Sequence, residues 1–200
     1  MILRRLIRDE RGTSSVEFVI VATVFFMLIF GIIDFSRAMW EWNAAAKATH
    51  WGVRHAIVND MVSKKLASFS GVLAGVNAGE NVDATVVVAK LGADTFTCTN
   101  TGCNGNRDTS TDFDDIAFGL IVARMQLIYD KIQPENVVVA YRHIGLGFAG
   151  DPLGPDLHPL VTVRLTGMQF NFVTPGLAGI LNMAMPDFAA TMTGEDLTSL

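Results

Sequence analysis

Hydrophobic and polar positions divide the chain into one long apolar stretch and a series of short periodic segments. Phe18 to Ile33 carries no charge and reads as a helix about 24 Å long, or about 31 Å if it starts at Thr13. From Asp34 to Ile57 there is no proline and only Gly52. Phe35, Met39, Trp42, Ala46, Thr49, Val53 and Ile57 fall within about 40° of one helical line. Trp40, Ala44, Ala48, Trp51 and His55 gather on the opposite side, while Arg37, Glu41, Lys47 and Arg54 read as solvated flanks. Residues 63–80 predict a weak helix ending near Gly71, followed by loop. Val82–Leu91 reads as a strand, and the stretch from Cys98 to Ser110 as a polar loop. Thr111 or Asp112 is placed to cap a helix from about Asp114 to Ile132, with Ile116, Leu120, Ala123, Leu127 and Ile128 at helical spacing. Strands are expected at Val137–Ile144, Leu160–Phe172 and Asp187–Thr193, with a short apolar piece at Leu177–Met185 predicting a helical turn. Four strands with two helical insertions, packed on the long N-terminal helix, make an α+β protein.

The apolar stretch is read differently once charge is added. Of 15 basic residues, Arg4, Arg5, Arg8 and Arg11 lie in the first eleven positions, against Asp9 and Glu10, in a chain of net charge −5. A basic flank before an uncharged run and Asp34 after it predict a single membrane span with its N-terminus inside. The expected organisation is a basic leader (1–12), a transmembrane helix (13–34), an amphipathic extension (35–60) and an outer α+β domain (61–200). Trp40 and Trp42 also suit an interfacial aromatic belt. Two other readings stay open. The run is a core helix of a soluble protein, or it is a secretory signal cleaved near Ser36-Arg37-Ala38. Half the residues are apolar, which excludes disorder as the main state. An acidic chain makes nucleic acid an unsuitable partner.

Glu17 is an ionisable group at the margin of the run, where such residues are costly and functional by default. Alternatively it snorkels toward the headgroups near Arg8 and Arg11. Thr13 lies four residues before it, on the same helical face, and Gly12 stands at the junction with the leader. A cut between Gly12 and Thr13 would create an α-amine that Glu17 of the same or a neighbouring chain could neutralise. The segment Gly12-Thr-Ser-Ser-Val-Glu17-Phe18 ahead of an apolar run resembles the processing site of type IVb Flp prepilins and pseudopilins, with Phe18 where the pattern has Tyr. Asp34-Phe35-Ser36-Arg37 and the later stretch holding Gly52 and Arg54 are similar to the TadE-like family, whose members are pseudopilins of the tight-adherence (Tad) pilus machine. The resemblance covers residues 11–57. It implies a pilin-like fold and cleavage after Gly12 by a prepilin peptidase. It also implies a place in the inner membrane with the C-terminal domain in the periplasm, and other pilins and Tad assembly proteins as partners. The implied role is structural, in the pilus or its assembly, with no cofactor. An uncleaved envelope scaffold is the first rival, and a secreted binding protein or enzyme cut near Ala38 the second.

The outer domain holds little reactive chemistry. Cys98 and Cys103, five positions apart, predict a small disulfide loop on the oxidising side of a membrane. Neither CxxC spacing nor a nearby His supports a metal there. Asp112, Asp114 and Asp115 cluster at a helix start and are read as compensating its dipole rather than holding calcium. His50 and His55 do not converge, and His143 and His158 flank a loop in surface or strand-edge roles. Gly145-Leu-Gly-Phe-Ala-Gly150 mimics a phosphate-binding glycine pattern, but Pro152 follows instead of a helix, so it reads as a loop.

Overall fold

The computed structural model describes residues 13–104, 112–152, 155–174, 182–194 and 197. The leader with Gly12, Thr111 and residues 177–181 of the predicted helical turn lie outside them. Helix α1 runs Thr13–Ala56, 44 residues without a proline. Short helices α2 (Lys64–Ala67) and α3 (Ala84–Leu91) follow, then strands β1 (Thr95–Thr99) and β2 (Gly102–Asn104) and helix α4 (Asp115–Gln126). Strands β3 (Val137–Arg142), β4 (Leu160–Leu165), β5 (Gln169–Asn171), β6 (Asn182–Ala184) and β7 (Phe188–Thr193) complete the α+β architecture. The chain forms two compact units. One takes the residues up to Trp40 with Gln169–Met183, the other Glu41–Met168 with the residues from Ala184 on.

In the second unit, five strands form an antiparallel sheet in the order β2-β1-β3-β4-β7. Alternation sets its two faces. Phe96, Cys98, Val137, Val139, Tyr141, Val161, Val163, Leu165, Phe188 and Ala190 are buried on one side. Thr95, Arg142, Arg164, Ala189 and Thr191 are exposed on the other, where the Thr162 and Thr191 hydroxyls meet at 2.9 Å. Small residues of α1 (Ala45, Ala48, Gly52 and Ala56) and larger ones of α4 (Phe118, Ile121, Val122 and Met125) supply the facing layer. A Cβ at Gly52 would stand 2.7 Å from Met125 Sδ and 3.4 Å from Val163 Cγ1, so glycine lets α1, α4 and β4 meet there. Trp42 packs edge-on against Phe188, with ring centroids 5.3 Å apart.

Several elements depart from the expected ones. Val82–Leu91 is not a strand: Asp83 accepts the Thr85 N–H at 2.7 Å, and Gly92 closes α3 with φ +87°. These end signals outweigh the β-branched run, of which only Val87 is buried within α3 itself. The loop expected after Cys98 instead begins as the β1–β2 hairpin, in which Cys98 faces Cys103 and the two form a disulfide. Asp114, not Thr111 or Asp112, caps α4, accepting from the Ile116 and Ala117 N–H groups at 3.0 and 3.1 Å. Helix α4 ends at Gln126, and Ile116, Leu120 and Leu127 of its expected apolar line are exposed, while Ala117, Phe118, Ile121, Val122 and Met125 are buried. Its apolar residues encircle the helix, so periodicity alone could not choose the face. The stretch expected to run as one strand from Leu160 to Phe172 is split into β4 and β5 around Gly167, whose φ is +69°.

The glycine pattern at 145–150 is a loop pinned from inside. The Asp156 carboxylate accepts the N–H groups of Gly71 at 2.6 Å, Gly150 at 2.9 Å and Asp151 at 3.0 Å. Gly147 has φ +123°, and a Cβ on it would strike the Asp156 carbonyl oxygen. Burial pushes the Asp156 carboxyl up, but the bonds from Gly150, Gly71, Asp151 and Ser70 outweigh it and hold the pKa below the usual 3.8. A depressed carboxyl contributes stability above its unfolded value, and that contribution is lost as pH falls through the folded value. Denaturant midpoints measured above and below pH 3.8 should therefore drop less steeply on acidification for Asp156→Asn than for the parent chain; parallel slopes would remove Asp156 from the acid response.

Candidate functional site

The residues singled out in the sequence lie along α1. Thr13 is the first described residue of α1, and Glu17 is exposed four residues on. Large apolar side chains from Val16 to Ile33 are exposed, including Phe18, Phe25, Phe26 and Leu28. This is the one helix among the described residues long and apolar enough to cross a membrane. Exposed hydrocarbon over such a length is the signature of a lipid-facing span rather than of a core helix.

At the end of the run the surface inverts. Asp34 is buried, with 3% of its surface exposed. Its carboxylate accepts the Val173 N–H at 3.1 Å, the Thr174 N–H at 2.8 Å and the Thr174 hydroxyl. Arg37, one turn on, donates at 3.0 Å to Oδ1, the oxygen that also accepts the Val173 N–H, and lies over the Phe170 ring, 5.4 Å from its centroid. Phe35, between them, is 68% exposed. Asp34 thus acts as an acceptor that closes the turn after β5 onto the helix, all within one compact unit.

In the other unit Glu41 repeats the device. It is buried and accepts the Tyr129 hydroxyl at 2.9 Å and the Lys131 ammonium at 2.6 Å. Burial, and then the Glu41 carboxylate, push the Tyr129 pKa above its ordinary 10. Glu41 was expected on a solvated flank, and Phe35 and Met39 on a buried line; the structure reverses both. The buried residues Glu41, Ala45, Gly52 and Ala56 lie between the two apolar faces expected from the sequence, joined by Thr49, Val53 and Ile57 from the one and Ala48 from the other. Large side chains mark a face by hydrophobicity, whereas this one is marked by small residues that permit close approach. That run of Ala and Gly at helical spacing was the available signal.

Further along, Trp51 receives two guanidinium groups, Arg124 at 4.8 Å and Arg54 at 6.0 Å from the ring centroid. His50 is exposed and His55 half-buried. Burial, then the Arg124 charge, lower the His55 pKa from 6.5. His143 is buried rather than superficial, its Nε2 2.9 Å from the Val82 carbonyl. Asp112 is buried too, accepting the Ser63 hydroxyl at 3.0 Å and the Lys65 N–H at 2.7 Å. Among the described residues no three His, Cys, Asp or Glu side chains converge as a metal site.

Helix α1 thus presents an exposed apolar first half, then a buried acid, an exposed Phe and an Arg. Residues 12–54 match the family model described as TadE-like protein. No curated protein and no solved structure gives a significant match. The TadE-like match covers the apolar span, Asp34, Phe35, Arg37 and Gly52, and ends at Arg54. Within it the structure gives Asp34 and Gly52 packing roles and leaves Glu17 exposed. The chain is thus similar to TadE-like protein over residues 12–54, and that segment lies on a helix long and apolar enough to cross a membrane.

Proposed function

We propose that the protein is a pseudopilin, or minor pilin, of a Tad-type (Flp, type IVb) pilus, acting structurally and not as a catalyst. The observation that carries this is the superposition of two features on one helix: the TadE-like match begins at Gly12, and the exposed apolar span begins within a turn of it. The basic leader holds the precursor with its N-terminus in the cytoplasm. A prepilin peptidase cuts between Gly12 and Thr13. The new Thr13 amine is neutralised by Glu17 of the same or a neighbouring chain, and the exposed span enters a bundle of like helices. The α+β unit then stands in the periplasm, where the Cys98–Cys103 disulfide is stable.

The rival cleavage near Ala38 fits poorly. Helix α1 passes through that point without a break, and a cut there would remove Asp34 and release its bonds to Val173 and Thr174. The decisive experiment is intact mass and N-terminal sequencing of the protein from its own envelope. A chain beginning at Thr13 supports processing; one beginning at Met1 leaves an uncleaved anchored scaffold; one beginning near Met39 overturns the pseudopilin assignment. In a strain with the Glu17→Ala change, membrane insertion should be unchanged and pilus assembly lost. Normal assembly in that strain would sink the amine–carboxylate pairing.

A further inference from the structure

The apolar half of α1 does not form its compact unit alone: Gln169–Met183 belongs to the same unit. This segment contains β5 and most of β6, a strand pair separate from the main sheet. There is no charged residue between Arg164 and Asp187, the interval that holds the whole pair and its connection. Val173 is 61% exposed and Met183 44%, and neither faces the core. Thr174 lines an open groove of about 450 Å³ together with Thr23, Phe26, Met27 and Phe30 of α1, so it lies beside residues within the apolar span.

The polar atoms are arranged for the same environment. Backbone N–H groups that border lipid are satisfied within the protein, and open strand edges stay on the polar side of the boundary. Those of Val173 and Thr174, and the Thr174 hydroxyl, are given to Asp34 at the end of the span. Arg37 sits over Phe170, its charge paired with Asp34 and its side chain partly exposed, the posture of a cation at a headgroup boundary. We infer that the β5–β6 strand pair is a second membrane contact, lying at the headgroup boundary of the leaflet that α1 leaves at Asp34, with the Val173 and Met183 side chains reaching the acyl chains. The occupant is lipid rather than a second protein because Thr174 shares a groove with Thr23, Phe26, Met27 and Phe30 of the apolar span, and the exposed Val173 and Met183 belong to the same compact unit as that span.

The inference rests on the membrane-anchor reading of α1, and the test separates the two. The two cysteines are joined in a disulfide, so a single introduced cysteine is labelled uniquely. Full-length Val173→Cys and Met183→Cys chains, each carrying an environment-sensitive fluorophore, are reconstituted in phosphatidylethanolamine–phosphatidylglycerol vesicles. Val24→Cys in the span and Thr191→Cys on the outer sheet face serve as references. Labels at Val173 and Met183 should lose fluorescence to doxyl-labelled lipid as the Val24 label does, and resist aqueous iodide. Iodide quenching equal to that at Thr191, with Val24 still quenched by lipid, overturns the strand-pair contact and leaves the anchor. Protection from both quenchers overturns it in favour of a protein cover such as a second copy. Loss of lipid quenching at Val24 overturns both.

Discussion

Asp34→Ala is expected to free the turn after β5 while leaving the main sheet folded. The substitution removes the acceptor of two backbone N–H groups and one hydroxyl and leaves Arg37 without this carboxylate. A hydrogen bond to a charged group contributes about 1.5–3 kcal/mol, so amide exchange at Val173 and Thr174 should accelerate by about tenfold to a hundredfold. Amides of β3 and β4, in the other unit, should keep their protection. Asp34→Asn, which retains an acceptor oxygen without the charge, should fall between. Unchanged exchange at both amides in the Ala variant would show that the turn is held by something else.

Glu41→Leu is expected to destabilise the sheet-bearing unit as a whole. The Tyr129 hydroxyl is buried and would lose its acceptor, whereas Lys131, half exposed, can return its ammonium to water. The cost is therefore set mainly by the stranded hydroxyl, about 1–3 kcal/mol, plus the lost bond from the ammonium. For a unit of this size that corresponds to a thermal midpoint lower by about 5–10 °C, read by near-ultraviolet circular dichroism of the full chain in detergent. Pairing with Tyr129→Phe tests the origin: if the stranded hydroxyl is the cause, the double variant recovers part of the loss. A double variant no better than Glu41→Leu would shift the cost to the Lys131 pair or to packing of the new side chain.

These two carboxylates also show where sequence reasoning stops. The span, the strands at Val137, Leu160 and Phe188, and a helix starting near Asp114 were legible because each depends on neighbours in the chain. Glu41 and Asp34 were not, because their partners lie 88 and 139 positions away and nothing local distinguishes a buried acid from a solvated one. The same holds for Asp112, whose bonds from Ser63 and Lys65 are invisible from the residues around it. Val82–Leu91 failed for a different reason. Its valines favour a strand, but Asp83 and Gly92 supply both ends of a two-turn helix, and the end signals prevail. As for the candidate site, the family motif pointed to Asp34, Arg37 and Gly52, but not to what they touch. Glu17 stays an expectation carried by its spacing from Gly12.

Order of synthesis gives the Asp34 contact another meaning. If the chain crosses the bilayer as proposed, with its N-terminus held back and the later residues following, Asp34 reaches the far side 139 residues ahead of Val173. Throughout that interval its nearby partner is Arg37, 3.0 Å away in the folded chain and made almost at the same moment. The pair can hold the acid at the water boundary while the rest of the polypeptide is still arriving. Strand β4 waits in the same way, its free margin open until Phe188–Thr193 emerges to cover it. The nascent protein is therefore anchored early and closed late, and the interval between is when it is most exposed to aggregation and to proteases.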